Sequence, residues 1–281
     1  MTHPLSLAFL TLHDVPPAEV ARAAAATGYD LIGLRLLPAA PGEAAYPLMT
    51  DPAARRAVRA VLADTGLGVG DVEIVRLKPD TRAAAFLPFL ECAAELGARH
   101  VLVAGDDPDA ARLTAGFAAF CELARGFALT ADLEFMPWTA VPDLRSALAV
   151  VEGAGQDNGG VLVDALHYDR SATTLDEIRA LPRRRVNYVQ VCDGPADYDP
   201  STEGLIRVAR SARLFPGEGG IDLRGLVRAV PDDATISVEV PNHALAATAT
   251  PTDRARRAMA STLALLEQAG RQPSRRAVGT P

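Results

Sequence analysis

Short apolar runs alternate along this chain with longer stretches whose apolar residues recur at helical spacing. Runs of strand type fall near residues 5–10, 31–36, 68–75, 100–104, 132–135, 161–164, 188–192 and 235–240. Stretches of helical type fall near 17–27, 52–65, 81–96, 108–128, 141–154, 174–180, 223–230 and 252–268. Parallel strands need a crossover of a dozen or more residues, so this alternation predicts βα units in a parallel sheet. Eight units predict an α/β protein with one (β/α)8 barrel over residues 1–270, its active site at the C-terminal ends of the strands. An open doubly wound sheet would have fewer units and a glycine-rich first turn, which Thr11-Leu12-His13-Asp14 is not. Helix starts are marked by Pro or an acidic residue at Pro17, Glu19, Pro52 and Pro108, and helix ends by Gly28, Gly66 and Gly97. Residues 271–281 lack apolar periodicity and are expected to form a disordered tail.

The apolar fraction is 49 %, enough for one large core, and the net charge of −7 argues against a nucleic-acid partner, which needs a concentrated basic face. No apolar run is long enough for a membrane span, and the start Met1-Thr2-His3-Pro4 is not of secretory type. Cys92, Cys121 and Cys192 have no paired spacing, which suits a reducing, cytoplasmic setting and makes them core fillers. Lys78 is the only lysine, in an exposed-looking Leu77-Lys78-Pro79-Asp80 loop, which argues against Schiff-base chemistry.

Four strand-like runs end on a carboxylate or an amide: Glu134, Asp164, Gln190 and Glu239. Burying an unpaired carboxylate costs several kcal/mol or forces it to take up a proton, so four such positions need a common cause. A shared divalent cation supplies one; ordinary strand-end residues capping loops are the alternative. Three carboxylates and an amide oxygen make a hard donor set, favouring Mg2+ or Mn2+, with Co2+ admissible. His167, three residues after Asp164, would lie near the metal as a general base, a supporting donor or a fifth ligand.

Other positions are candidates for holding substrate. His13 is expected to end the first strand, with Arg35 in the second and Glu73 in the third, each pointing into the barrel mouth; Arg35 and Glu73 could equally pair with each other. Arg207, Arg210 and Arg213 recur at helical spacing, so one, taken as Arg210, is expected to meet a substrate carboxylate while the others form a solvated face. Glu218 lies in the glycine-rich loop Pro216-Gly217-Glu218-Gly219, which would let backbone approach a ligand or merely lead into the next helix.

At these residues the chain resembles the xylose-isomerase-like barrel superfamily of sugar phosphate isomerases and epimerases, over roughly residues 5–268. The group includes hydroxypyruvate isomerase, ketose 3-epimerases, inosose dehydratase, 3-dehydroshikimate dehydratase and the endonuclease IV branch. The resemblance rests on Glu134, the Asp164-x-x-His167 step, Gln190, the Pro216-Gly217-Glu218-Gly219 loop and Glu239. It implies a metal held by Glu134, Asp164, Gln190 and Glu239. Many of the epimerases have histidine at the Gln190 position; glutamine is similar to hydroxypyruvate isomerase and some dehydroshikimate dehydratases. The endonuclease branch uses more histidines than this chain has. The expected activity is metal-dependent isomerisation or epimerisation of a small hydroxyketone through an enediolate, with Glu134, Glu239 or His167 moving the proton. A dehydratase is the second expectation, and a barrel that binds a ligand or partner without turnover the third. A homo-oligomer is compatible with the sequence.

Overall fold

The computed structural model describes residues 2–40, 42–43 and 45–274. Eight parallel strands, β1 (Leu5–Leu7), β2 (Leu31–Arg35), β3 (Gly68–Leu77), β4 (His100–Gly105), β5 (Thr130–Glu134), β6 (Gly159–Asp164), β7 (Tyr188–Val191) and β8 (Thr235–Val238), pair in sequence order, and β8 closes on β1. The barrel expected from the alternation is therefore present.

The helices that cover it begin and end where local chemistry directs. Between the first strands run α1 (Pro17–Thr27) and α2 (Pro52–Thr65). Asp51 accepts from the backbone N–H groups of Ala53 and Ala54 to start α2. Gly28 and Gly66 end the two helices at φ 91° and 64°, left-handed values at which a Cβ is strained. Then come α3 (Leu87–Glu95), α4 (Ala110–Arg125) and α5 (Leu144–Ala154). Phe117 and Phe120 of α4 are fully buried, each contributing about 1.5–3 kcal/mol of apolar burial.

Two departures matter for the site. After β6 the chain forms a short α6 (Ala165–Asp169) before α7 (Leu175–Arg179), and α6 starts directly on Asp164. After β7 it inserts α8 (Thr202–Ser211) ahead of α9 (Leu223–Ala229). A short α10 (His243–Ala246) and the long α11 (Pro251–Ala269) follow β8. No helix among the described residues is long and apolar enough to cross a membrane. Residues 272–274 run back beside the chain start, with Gln272 O accepting from His3 N–H and Ser274 N–H donating to His3 O. The rest of the expected tail, 275–281, lies outside the described residues.

Alternation along each strand sorts side chains. Val101, Val103, Leu133, Val161, Val163, Val189, Ile236 and Val238 face the helices in the main core. The positions between them point into the barrel. Strand pairing brings Ser6, Asp71, Asp132 and Tyr188, from alternate strands, into one lower layer. Above it come Gly33, Leu102, Leu162 and Ser237, and above these Glu73, Glu134 and Gln190. Arg35, Ala104, Asp164 and Glu239 form the rim. The lower layer is polar: Asp132 accepts from Asn187 at 2.7 Å and from Thr130 at 2.6 Å. Burial still pushes its carboxyl up to about 6. Space for it comes from Gly160, where a Cβ would stand 2.3 Å from Asp132 Oδ1.

Candidate metal centre and substrate cavity

Strand ends deliver the four predicted residues to the top of the barrel. Glu134 ends β5 and Asp164 ends β6, Gln190 lies in β7 beside Asp164, and Glu239 follows β8, its N–H donating to Val191 O. All four are buried. Asp164 Oδ1 accepts from the His167 backbone N–H at 3.0 Å, which caps α6 and swings the imidazole inward. His167 Nε2 then stands 3.5 Å from Glu134 Oε1 and 3.9 Å from Asp164 Oδ1. Ligand atoms of Glu134, Asp164 and His167 all lie within 4.8 Å of one another, a spacing a single ion could bridge. Gln190 Nε2 donates to Glu239 Oε1 at 2.9 Å, and its buried Oε1 has no partner among the described residues.

A sixth residue, not anticipated at the site, completes the cluster. Arg213 is buried, with Nη1 2.5 Å from Asp164 Oδ2, Nη2 3.2 Å from Glu239 Oε2, and Nε donating to Ala209 O at 3.0 Å. Its helical spacing with Arg207 and Arg210 predicts a shared solvated face. The helix ends at Ser211, however, and Arg213 then pairs as extended chain, its N–H donating to Pro241 O. That turn sends the guanidinium inward. The sequence signal is slight: an arginine just past the helix and directly before the apolar Leu214 and Phe215.

Three buried carboxylates against one guanidinium leave two negative charges uncompensated. Burial, together with that excess, displaces the carboxyls of Glu134 and Glu239 from their ordinary range. Burial, then the charges of Asp164 and Glu239, push the Glu134 carboxyl well above the usual range. Burial pushes Glu239 up to about 8 against the pull of Arg213. For Asp164 burial is outweighed by Arg213 and His167, and its carboxyl is held below the usual value. Burial takes His167 down to about 4, so its ring is neutral near pH 7 and able to offer a lone pair. The donor set, carboxylate oxygens, an orphaned amide oxygen and a neutral imidazole, fits a divalent cation in charge and chemistry. The imidazole broadens the choice beyond the all-oxygen shell expected for Mg2+ or Mn2+.

Glu134, His167, Arg213 and Glu239 of the cluster line a cavity of about 320 Å³. Ile74, Leu102, Met136 and Trp138 give it an apolar wall, and the Trp138 ring meets His167 edge-on at 5.0 Å. Arg35, Glu73 and Arg210 line it. Arg35 and Glu73 do pair, at 3.3 Å. His13 lines it too, but by a different route. β1 ends at Leu7, the chain makes a 3-10 turn over Phe9–Leu12, and His13 follows that turn, its ring 4.8 Å from the His243 ring. Glu218 is not brought to the cavity. Its carboxylate accepts from Phe215 N–H and pairs with Arg257 of α11 at 2.6 Å, since the loop is pinned outward by Asp193 accepting from Gly217 and Ile221. Cys192 sits beside Arg213 and burial pushes its thiol up to about 12, which leaves it a filler. Lys78 is exposed and does not line this cavity.

The chain belongs to the xylose isomerase-like TIM barrel family, whose model matches residues 21–265. No functionally curated protein matches it. Among solved structures it is similar to a xylose isomerase-like TIM barrel/4-hydroxyphenylpyruvate dioxygenase fusion protein (TM-score 0.80, 21 % identity), covering 98 % of this chain and 45 % of that one. The chain thus spans under half the length of that fusion protein. It is also similar to the IolI protein, solved with a bound zinc atom (TM-score 0.78, 15 % identity, 94 % and 98 % of the two chains). A third is L-ribulose 3-epimerase (TM-score 0.67, 19 % identity, 96 % of each chain). At these identities the likeness is one of fold.

Proposed function

We propose that the protein is a divalent-metal-dependent isomerase or epimerase of a small hydroxyketone, working by proton abstraction beside the carbonyl. The observation that carries this reading is the buried cluster of Glu134, Asp164, Glu239 and His167, with Gln190 Oε1 unpartnered among the described residues, beside an open-mouthed cavity. Family membership and the epimerases among similar folds support it.

Glu134, Asp164, Glu239 and Gln190 would hold the cation, with His167 adjoining; bound there, it supplies Lewis acidity toward the substrate carbonyl. The chain's own groups account for the rest. Glu134 and Glu239 both line the cavity and carry carboxylate oxygens able to take a proton from the carbon next to the carbonyl. Gln190 fixes Glu239 through its Nε2 bond, so the base is held in one orientation. Arg213 restrains Asp164 and Glu239 together and keeps a positive charge close to where an enediolate oxygen would develop. The apolar wall offers water no hydrogen-bond partners on that side of the cavity, where it would quench a carbanion. Returning the proton to the opposite face gives an epimer, and returning it to the neighbouring carbon gives an isomer. Loss of a β-hydroxyl from the same intermediate gives dehydration, a second reading favoured by the arginines lining the cavity.

The test is proton–deuterium exchange in D2O followed by NMR, with the metal-loaded protein, a panel of ketoses, hydroxypyruvate, inosose and 3-dehydroshikimate, and Glu239→Gln and EDTA controls. Exchange that requires both the cation and Glu239 supports the reading, and the product separates epimer, isomer and alkene. Exchange that persists in both controls, or no exchange across the panel, counts against it.

A further inference from the structure

We propose that the cavity mouth contains an anion subsite made by Arg35 and Arg210 and screened by Glu43, so that the substrate is a hydroxyketone bearing a carboxylate or a phosphate. The hydroxyketone part rests on the function proposed above; the anion subsite stands on separate observations.

Arg35 ends β2, is buried, and lines the cavity. A guanidinium carries five N–H donors. Among the described residues, only one of those of Arg35 reaches a hydrogen-bond acceptor, Nη2 to Glu73 Oε2 at 3.3 Å, and its buried Nε has no partner. The Phe9 ring, 4.6 Å from Cζ, holds the group in place from one side. A buried, under-satisfied cation on a cavity wall is costly unless a ligand completes it.

Glu43 marks what completes it. Its Oε2 stands 3.6 Å from Arg35 Nη1, too far for a hydrogen bond, while its Oε1 is 2.8 Å from Arg210 Nη1 on α8. One carboxylate therefore spans two arginines carried by separate elements, β2 and α8, in the manner of a bound acid. Glu43 sits in the connection between β2 and α2, outside any helix or strand, whereas Arg35 and Arg210 are set on regular elements. The loop carboxylate is the displaceable partner and the arginines are the fixed ones. Ile74, Leu102, Met136 and Trp138 line the same cavity as an apolar wall, where the hydroxyls of a neutral polyol would find no partners. The cavity thus suits a compact ligand that carries an anion beside its hydroxyketone.

Trp138 is the only tryptophan and lines the cavity, so its fluorescence reads binding without turnover. The probes are dihydroxyacetone, hydroxypyruvate and dihydroxyacetone phosphate, titrated into metal-loaded and EDTA-treated protein. Both anions are expected to bind about tenfold or more tighter than dihydroxyacetone, and whichever binds tighter identifies carboxylate or phosphate as the natural group. Arg35→Met is expected to bring the ratio near one. Glu43→Gln is expected to tighten both anions about threefold or more while leaving dihydroxyacetone unchanged. If Arg35→Met fails to fold, Arg210→Met carries the same expectation. Equal affinity for charged and neutral probes in the unaltered protein, or no gain in Glu43→Gln, overturns the subsite. Deuterium exchange read on the same samples keeps the two proposals apart. Anion preference without exchange leaves the subsite and removes the enolisation reading; exchange without anion preference does the reverse.

Discussion

Replacing Arg213 by methionine should be the most informative single change to the barrel. Methionine keeps much of the side-chain volume, so the perturbation is the loss of charge and donors. Asp164 Oδ2 loses a contact of 2.5 Å and Glu239 Oε2 one of 3.2 Å, and Ala209 O loses its donor. Both carboxylates are buried, so water cannot replace the guanidinium. Removing one partner of a buried pair costs about 3–5 kcal/mol, because the remaining charge is left desolvated. For a chain of this length that is a fall of about 6–20 °C in melting temperature, at about 2–4 °C per kcal/mol. The loss should be largest in EDTA. It should shrink when Mn2+ or Zn2+ is added, since a divalent cation on the same carboxylates supplies the missing charge. The assay is urea denaturation at pH 7.5 with and without metal, and Arg213→Met/Asp164→Asn completes a double-mutant cycle. A loss below about 1 kcal/mol in EDTA, no larger than an exposed ion pair gives, would refute the reasoning. So would a double variant whose loss is the sum of the two single losses, since the residues would then be uncoupled.

Other expectations follow from the same geometry. In metal-free protein Glu239 titrates near 8 when folded against 4.5 when unfolded, so the folded state binds the extra proton; stability should rise as pH falls from about 8 to 6.5. Below 6.5, His100 and His167, each pushed down to about 4 by burial, take up protons preferentially when unfolded and oppose that gain. Stability against pH in EDTA tests this, and bound metal or Glu239→Gln should flatten the upper limb. His167→Ala should weaken divalent-metal binding by about 10–100-fold as measured by calorimetry; unchanged affinity would place His167 outside the metal's surroundings. Gly160→Ala would drive a Cβ to 2.3 Å from Asp132 Oδ1, and Asp132 is held by Thr130 and Asn187, so a loss of about 1–3 kcal/mol in chemical denaturation is expected. A neutral result there would mean that the lower layer is loosely packed.

What the chain determined by itself was the barrel and the ends of its strands. Strand and helix periods are local properties, and eight alternations leave few topologies open. Glu134, Asp164, Gln190 and Glu239 stood out because each interrupts an apolar run, and a buried charge demands a reason wherever the strand lies. Their convergence, and the inward turn of His167 on its Asp164 cap, followed once the barrel closed. Tertiary structure alone decided the rest. Arg213 carries the same spacing as Arg207 and Arg210, and only the end of α8 at Ser211 separates a solvated arginine from a buried one. Glu218 looks like a ligand-facing residue in sequence, yet the anchoring of its loop by Asp193 hands it to Arg257. Glu43 has no distinguishing neighbours, and its place between Arg35 and Arg210 depends on a loop meeting a helix inserted more than half the chain later. Local pattern records which side chains must be buried or solvated; which charge finds which partner is settled by long-range packing, where the cost of leaving a buried charge alone selects among alternatives that look equal along the chain.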